Sequence, residues 1–356
     1  MAISQLSLTD FRNLRSSTLD FNSRFNFVSG DNGSGKTSLL EAIYVLCQAH
    51  SFRTHQLKQC INHDKSSFLL FGRFEDHKAG LAKNDKKLEI HVDGESIKRR
   101  SELVRKTPIN IVNADSFVML DGSPQKRRDF IDWCMFHVEP DYAEQWRLFQ
   151  HALRQRNRLL KTRQDIKLLD YWDQHLIEPS LNLSTMRRDY CKKLQAIAEV
   201  ELCEILSGIS LELEYRQGWP DHLSLLDATR SNRERDIRRG FTNAGIHRDD
   251  LIIMSQGKYA SEILSRGQSK RLCLALLLAA LKVVSKSRRD RIILLIDDLN
   301  SELDSKSQNI VYQQLVDMDL QMFISNIDSP VPEAISGKEI KLFHVEHGII
   351  RPRNFN

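Results

Sequence analysis

The chain has 356 residues, enough for two or three domains with real cores, and its formal charge of +5 is a mild basic bias compatible with a nucleic-acid partner. Its six cysteines, Cys47, Cys60, Cys134, Cys191, Cys203 and Cys273, form no C-x-x-C pair, which argues against a zinc site or a disulfide framework and suits a reducing, cytoplasmic setting. No basic-then-apolar leader opens the sequence, and the longest apolar run, Leu272 to Leu281, is short of the roughly 20 residues that span a bilayer, so a buried helix is expected there and no membrane segment anywhere.

Residues 1 to about 115 alternate short strands and turns around one helix. Ile3 to Leu8, Phe25 to Val28, Phe68 to Phe74 and Leu88 to Val92 read as strands, with Asp76-His77-Lys78 and Asp93-Gly94 as hairpin turns. Between the second strand and a helix opening at Ser38-Leu39-Leu40 lies Gly30-Asp31-Asn32-Gly33-Ser34-Gly35-Lys36-Thr37, the pattern G-x-x-x-x-G-K-[ST]. A strand, a glycine-rich turn and a helix N-terminus aim consecutive N–H groups at one point, where the helix dipole also favours an anion. Lys36 then reaches the terminal phosphates of a nucleoside triphosphate, and the Thr37 hydroxyl serves Mg²⁺. A chance match in a chain of this length is roughly a one-in-a-hundred event, and the strand–loop–helix context lowers it further.

From about 116 to 239 the period becomes helical. Ser123-Pro124 offers an N-cap followed by Pro at N1. Tyr142, Trp146, Phe149, Leu153 and Leu160 form one apolar stripe, and Leu183, Met186, Tyr190, Leu194, Ile197 and Ile205 another, which predicts an antiparallel helical pair. Pro179 is expected to kink or break the helix before Leu183. The block is basic: Arg147, Arg154, Arg156, Arg158, Lys161 and Arg163 occur with no acid between Arg147 and Gln164, and Arg187, Arg188, Lys192 and Lys193 follow. A phosphate backbone needs several such cations on one surface, but so does an ordinary solvated face, and no single arginine is assigned to DNA.

Strands and helices alternate again from 240 to 356. Arg291-Ile292-Ile293-Leu294-Leu295-Ile296-Asp297-Asp298 reads as a central parallel strand, buried on both faces, with carboxylates emerging at its C-terminal end, where α/β sheets bind ligands. Asp297 is placed to hold Mg²⁺ and Asp298 to polarise an attacking water. Leu264-Ser265-Arg266-Gly267-Gln268-Ser269-Lys270 precedes a long apolar helix. Alone it is an ordinary helix cap. Between a phosphate loop and an Asp-Asp strand it resembles the ABC-type ATPase signature, and Ser301-Glu302-Leu303-Asp304 follows where a D-loop belongs. His247-Arg248-Asp249-Asp250-Leu251 has the look of a protein-kinase catalytic loop, but no D-F-G motif, V-A-I-K-like strand or G-x-G-x-x-G loop accompanies it.

Within the ABC-type class the chain resembles the RecF family of recombinational repair ATPases nearly end to end. The resemblance rests on the Leu8 to Leu14 segment, Gly30 to Ile43, Ser51-Phe52-Arg53, Gly122 to Arg128, Gly245 to Asp250, and the signature and Asp-Asp-x-x-Ser-Glu-Leu-Asp blocks. It implies an α/β fold: an ABC-type ATPase head, a P-loop mixed sheet with flanking helices, contributed by 1–115 and 240–356, with an inserted α-helical lobe at 116–239. It also implies that the signature of one subunit, Ser265, Gly267 and Gln268, together with Asp304, closes on ATP held by its partner's Gly30 to Thr37 loop. Lys36, Asp297 and Asp298 would serve catalysis, and Thr37 and Asp297 the metal. The implied function is ATP-dependent DNA binding in gap repair, with RecO and RecR as partners, an ATP-dependent homodimer, recombinase loading, replication restart and SOS induction. Ile246 departs from the proline usual in the family. Phe323 to Asp328 lacks the histidine often found at a γ-phosphate switch, leaving Ser325 or Asn326 for that contact and predicting slow hydrolysis. A transporter-type nucleotide-binding subunit and an ATP-bound scaffold without turnover are the alternatives.

Overall fold

The computed structural model describes residues 2–163, 165–287, 292–299, 303–326 and 332–353. In chain order, β1 (Ile3–Thr9), β2 (Ser17–Asp20) and β3 (Phe25–Ser29) lead to α1 (Lys36–Gln48). Next come β4 (Ser67–Phe74), β5 (Lys78–Asn84), β6 (Leu88–Val92), β7 (Glu95–Ser96), α2 (Arg100–Lys106) and β8 (Ile109–Val112). They are followed by α3 (Pro124–Val138), α4 (Tyr142–Thr162), α5 (Leu169–Glu201), β9 (Glu212–Arg216), α6 (Leu225–Ser231), α7 (Arg233–Arg239), β10 (Asp250–Ser255), β11 (Lys258–Tyr259), α8 (Ala260–Ile263) and α9 (Arg266–Ser287). The last described elements are β12 (Ile292–Asp297), α10 (Ser305–Val316), β13 (Leu320–Asn326), β14 (Ile340–Glu346) and β15 (Ile349–Arg353).

Two compact units result, Met1–Ser116 with Arg288–Asn356, and Phe117–Ser287. The first holds two six-stranded sheets, in the orders β2-β1-β4-β5-β6-β7 and β15-β14-β3-β13-β12-β8. The former is antiparallel throughout. In the latter all pairings from β14 to β8 are parallel and only β15 runs against its neighbour. Helix α1 is apolar around nearly its whole girth, and its Leu39, Ile43 and Leu46 share one core with Ile3, Leu6, Leu70 and Leu81 of the antiparallel sheet and with Val28, Ile293, Leu295 and Phe323 of the parallel one. A helix sandwiched between two sheets has no solvent face to keep polar, which explains its composition. The continuous apolar run of β12 has the same cause, because β8 and β13 flank it and Ile292 to Ile296 are all buried.

The first unit also holds α2 and α10, and the second joins helices α3 through α9 to a three-stranded antiparallel sheet, β11-β10-β9. Residues 240–287, read from the sequence as part of the head, pack within this unit together with the 116–239 block. The Leu272 to Leu281 run is buried along α9. Ser123 and Pro124 start α3 as the sequence suggests, although the Ser123 side chain makes no capping bond. Pro179 does not break a helix: α5 runs through it for 33 residues. Proline removes one backbone donor at a cost of about 3 kcal/mol, and here it lies buried in a helix packed against α4 and α9 along much of its length, which offsets that cost. The second apolar stripe therefore belongs to a longer helix than expected, and Ile205 lies beyond its end.

Candidate functional site

Because β8, β12, β13, β3 and β14 are parallel neighbours, their C-terminal ends stand in a row. The register pairs Asp297 with Ser325 and Asn326 with Ser29. The Gly30 to Gly35 turn leaves β3 at this edge and feeds directly into α1. Gly30 has φ +143°, and a Cβ there would lie 2.2 Å from the Val345 carbonyl oxygen, so no other residue fits. At Gly33 (φ +79°) a Cβ would meet nothing within 4 Å, which leaves the inner face of the turn open as a cradle. The Ser34 hydroxyl is buried on the Gly30 side of the turn, without a hydrogen-bond partner among the described residues, and Ser34 does not line the cavity.

Lys36 Nζ donates to the carbonyls of Gly30 (2.5 Å) and Asp31 (2.9 Å), so the ammonium is held over the turn by the loop's own backbone. Thr37 Oγ1 donates to both Asp297 carboxylate oxygens, at 3.1 and 3.0 Å, and Ser325 Oγ donates to Asp297 Oδ1 at 2.6 Å. Asp298 adopts φ +54°, a left-handed conformation uncommon for a non-glycine residue, and its N–H is held by Ser325 Oγ at 3.1 Å. This bend turns the chain at the end of β12 and brings Asp298 to line the same cavity as Thr37 and Asp297. An open glycine cradle, a lysine over it and a hydroxyl–carboxylate pair at its rim fit a polyphosphate with a divalent cation.

That cavity, about 770 Å³, is also lined by Arg12, Asn13 and Arg53, whose roles the sequence reading did not assign. Asn13 Oδ1 accepts from Ser38 at 2.9 Å, while its amide lies 3.4 Å from the loop carbonyls of Gly33 and Ser34. Arg12 grips the Glu41 carboxylate with two parallel bonds (2.9 and 2.7 Å). Ser51 (2.5 Å) and Arg53 (3.3 Å) donate to the same carboxylate. Burial pushes the Glu41 carboxyl up, but the hydrogen bonds from Arg12 and Ser51 and the charges of Arg12 and Arg53 outweigh it, so it lies below the ordinary value. A second recess, lined by Thr37, Arg53, Asn113, Asp115, Asp297 and Asp298, adjoins the same carboxylates. Among the described residues, no group of three or more His, Cys, Asp or Glu side chains is arranged to hold a metal by itself.

Ser325 lines the main cavity, whereas Asn326, the other switch candidate, does not. Ser265, Gly267 and Gln268 lie at the exposed start of α9 in the second unit, where Gln268 Oε1 accepts from the Ser265 N–H at 2.9 Å in the manner of a capping box. Asp304 caps α10, accepting from the Ser307 N–H (3.0 Å) and hydroxyl (2.7 Å), which hold its carboxyl below the ordinary value. It does not line the loop cavity. Ser301 and Glu302 of the D-loop, and Ile327 and Asp328 of the switch, lie outside the described residues.

The basic block separates into two kinds of residue. Arg156 is fully buried against Asp173 (2.6 Å), Asp236 (2.8 Å) and Thr242, and Arg187 against Asp249 (2.5 Å), Asp132 and the Tyr142 hydroxyl. Both are internal struts. Arg147 pairs with Glu144, Lys192 with Asp189 and Lys193 with Glu139. Arg154, Arg158, Lys161 and Arg163 are exposed and have no ion-pair partner among the described residues.

Residues 2–351 match the family described as RecF/RecN/SMC N terminal domain. The chain is 38% identical to the DNA replication and repair protein RecF of Stutzerimonas stutzeri, over 98% of this chain and 97% of that one. It is 37% identical to the same-named protein of Pseudomonas aeruginosa, with the same coverage. A structure of the recombination mediator protein RecF with ATP, from the RecFOR pathway, superposes with a TM-score of 0.87 at 25% identity, covering 99% of this chain and 98% of that one. An Smc head bound to the C-winged helix domain of ScpA superposes at 0.60 with 16% identity, covering 100% and 98%, which places the fold among ABC-type ATPase heads. The phosphate loop, the Thr37–Asp297 pair and the likeness along the whole chain lead to one conclusion: this chain belongs to the RecF family.

Proposed function

We propose that the chain is an ATP-dependent DNA-binding protein of recombinational gap repair whose ATP state governs its assembly. The observation that carries this reading is the convergence, at adjacent strand ends, of the glycine cradle, Lys36, Thr37, Asp297 and Asp298. Backbone N–H groups of the turn and the α1 N-terminus orient the polyphosphate, and Lys36 moves its charge from the Gly30 and Asp31 carbonyls onto the terminal phosphates. Thr37 and Asp297 would hold Mg²⁺, which would supply charge neutralisation for the transferring phosphoryl group. Ser325 fixes the Asp297 carboxylate and the Asp298 backbone together, and Asp298 orients and deprotonates the attacking water.

In this reading two copies associate head to tail about a two-fold axis, each supplying Ser265, Gly267, Gln268 and Asp304 to the nucleotide on its partner's loop. The self-capped start of α9 supports it, since Ser265, Arg266 and Gly267 are exposed there. ATP binding closes the pair on DNA and slow, DNA-linked hydrolysis reopens it. The relatives' name, DNA replication and repair protein, and the RecFOR pathway of the ATP-bound neighbour support a replication and repair role alongside RecO and RecR. Recombinase loading, replication restart, SOS induction and action in the cytoplasm belong to the proposal. Sedimentation of the full chain with gapped DNA tests the core of this. ATP should produce a dimer that retains DNA, and a monomer under saturating ATP, with or without DNA, overturns it.

A further inference from the structure

The outer surface of the α4–α5 pair carries a group of side chains that neither the fold nor the phosphate site uses. His151 on α4 stands edge-on to Trp172 on α5, with ring centroids 5.5 Å apart. Trp172 meets Tyr171 at 5.1 Å, and the Tyr171 and His175 rings lie 4.0 Å apart and 34° from parallel. These rings are not core: Tyr171 is 51% exposed, and His151 and His175 are exposed as well. Three and seven residues beyond His151, on the same helical face, come Arg154 and Arg158, exposed and without an ion-pair partner among the described residues. Their surroundings make this unusual. Arg147 one turn earlier holds Glu144, and Asp170 beside the rings is held by Arg233. Glu178, one turn past His175, is the exposed acid at the far end of the ring group.

Exposed rings offer π faces, and unpaired guanidinium groups beside them offer charge for an anion. A polyanion whose flat groups are free to stack satisfies both. Single-stranded nucleic acid has that chemistry, because its bases are unstacked and its phosphates regularly spaced, whereas a duplex hides its base faces. We propose that this face of the α4–α5 pair is a platform for single-stranded DNA, with bases stacked on Tyr171 and its neighbouring rings and phosphates on Arg154 and Arg158. The platform rests on the DNA-binding reading above and names the form of DNA that one surface takes. A protein partner, or a second copy of this chain, covering the same rings is the rival occupant.

The test uses the full chain with ATP and three fluorescent probes of equal length: oligothymidylate, an abasic strand and a duplex. Tyr171→Ala should weaken oligothymidylate about tenfold, equivalent to ~1.4 kcal/mol, and leave the abasic strand and the duplex within about twofold. Tyr171→Phe should restore binding. The double variant Arg154→Gln/Arg158→Gln should weaken both single strands and flatten the salt dependence by about 1.4 log units per log unit of salt, as two lost phosphate contacts require. Unchanged oligothymidylate affinity in Tyr171→Ala overturns the platform, and so does an equal loss on the abasic strand. Intact DNA affinity with lost ATP-dependent self-association also overturns it, in favour of a second copy. A parent protein that binds none of the three probes removes the DNA reading itself.

Discussion

The Thr37 hydroxyl donates to both carboxylate oxygens of Asp297, although the two residues are 260 positions apart in the chain. The contact joins the first turn of α1 to the end of β12 across the intervening β13, whose Ser325 bonds the same carboxylate. Two separately legible motifs thus become one site through strand order alone.

Lys36→Ala should lower nucleotide affinity by well over tenfold, more than ~1.4 kcal/mol, because it removes the cation that the loop carbonyls hold over the cradle. Its contacts are to the loop's own carbonyls, so the melting temperature without nucleotide should change little. Equilibrium binding of a fluorescent ATP analogue checks the first part and calorimetry the second.

Ser265→Arg should bind nucleotide like the parent, since Ser265 lies outside the phosphate-loop cavity. It should fail to dimerise in ATP, because the proposed dimer offers the exposed start of α9 to the partner. Sedimentation with ATP decides this, and an ordinary dimer would remove the shared-site arrangement.

Glu41→Gln should destabilise the first unit by about 1–3 kcal/mol, because the carboxylate is buried while Arg12 and Arg53 keep part of their surface in water. The parent should also carry an acid dependence from this group. Its carboxyl lies below the ordinary value in the fold, so the stability it contributes is present above the unfolded-state pKa and is lost as pH falls through the depressed value. Denaturant unfolding at neutral and acid pH should show that slope in the parent and a weaker one in the variant.

His247 should act in a different window. Burial, with the charges of Arg248, Arg128 and Arg156, outweighs its bond to the Thr242 carbonyl and lowers it to about 4. The folded protein keeps the ring neutral while the unfolded chain protonates it near pH 6.5, so stability should fall as pH drops from about 6.5 towards 4, by roughly 3 kcal/mol at most. His247→Gln, which cannot titrate, should flatten the unfolding curve over that interval.

How much of this was legible in the sequence depended on how local each cause is. The phosphate loop and the Asp297 strand could be read because consecutive residues carry the signal. Arg12, Glu41, Ser51 and Arg53 could not be read as one network, because only packing around α1 brings them together. A helix offers little guide to which of its arginines are buried. Arg156 and Arg154 sit two residues apart, yet one is an internal strut because Asp173 and Asp236 arrive from α5 and α7, and the other is exposed. Pro179 misled for the same reason, since its local cost is real and the compensating contacts are distant in sequence.

The most direct test of the proposed switch compares Asp297→Asn with Asp298→Asn by the rate at which DNA leaves the protein in ATP. Asp297 is bonded to Thr37 and Ser325 and on the proposed reading organises the metal position, so its variant should bind Mg²⁺-ATP weakly and hold little DNA. Asp298 lines the cavity at the bend after β12, and an amide there is a poor base, so its variant should keep ATP, stop hydrolysis and remain closed. DNA should then dissociate from Asp298→Asn several-fold more slowly than from the parent. Release as fast as the parent's, or faster, would contradict a clamp that hydrolysis opens.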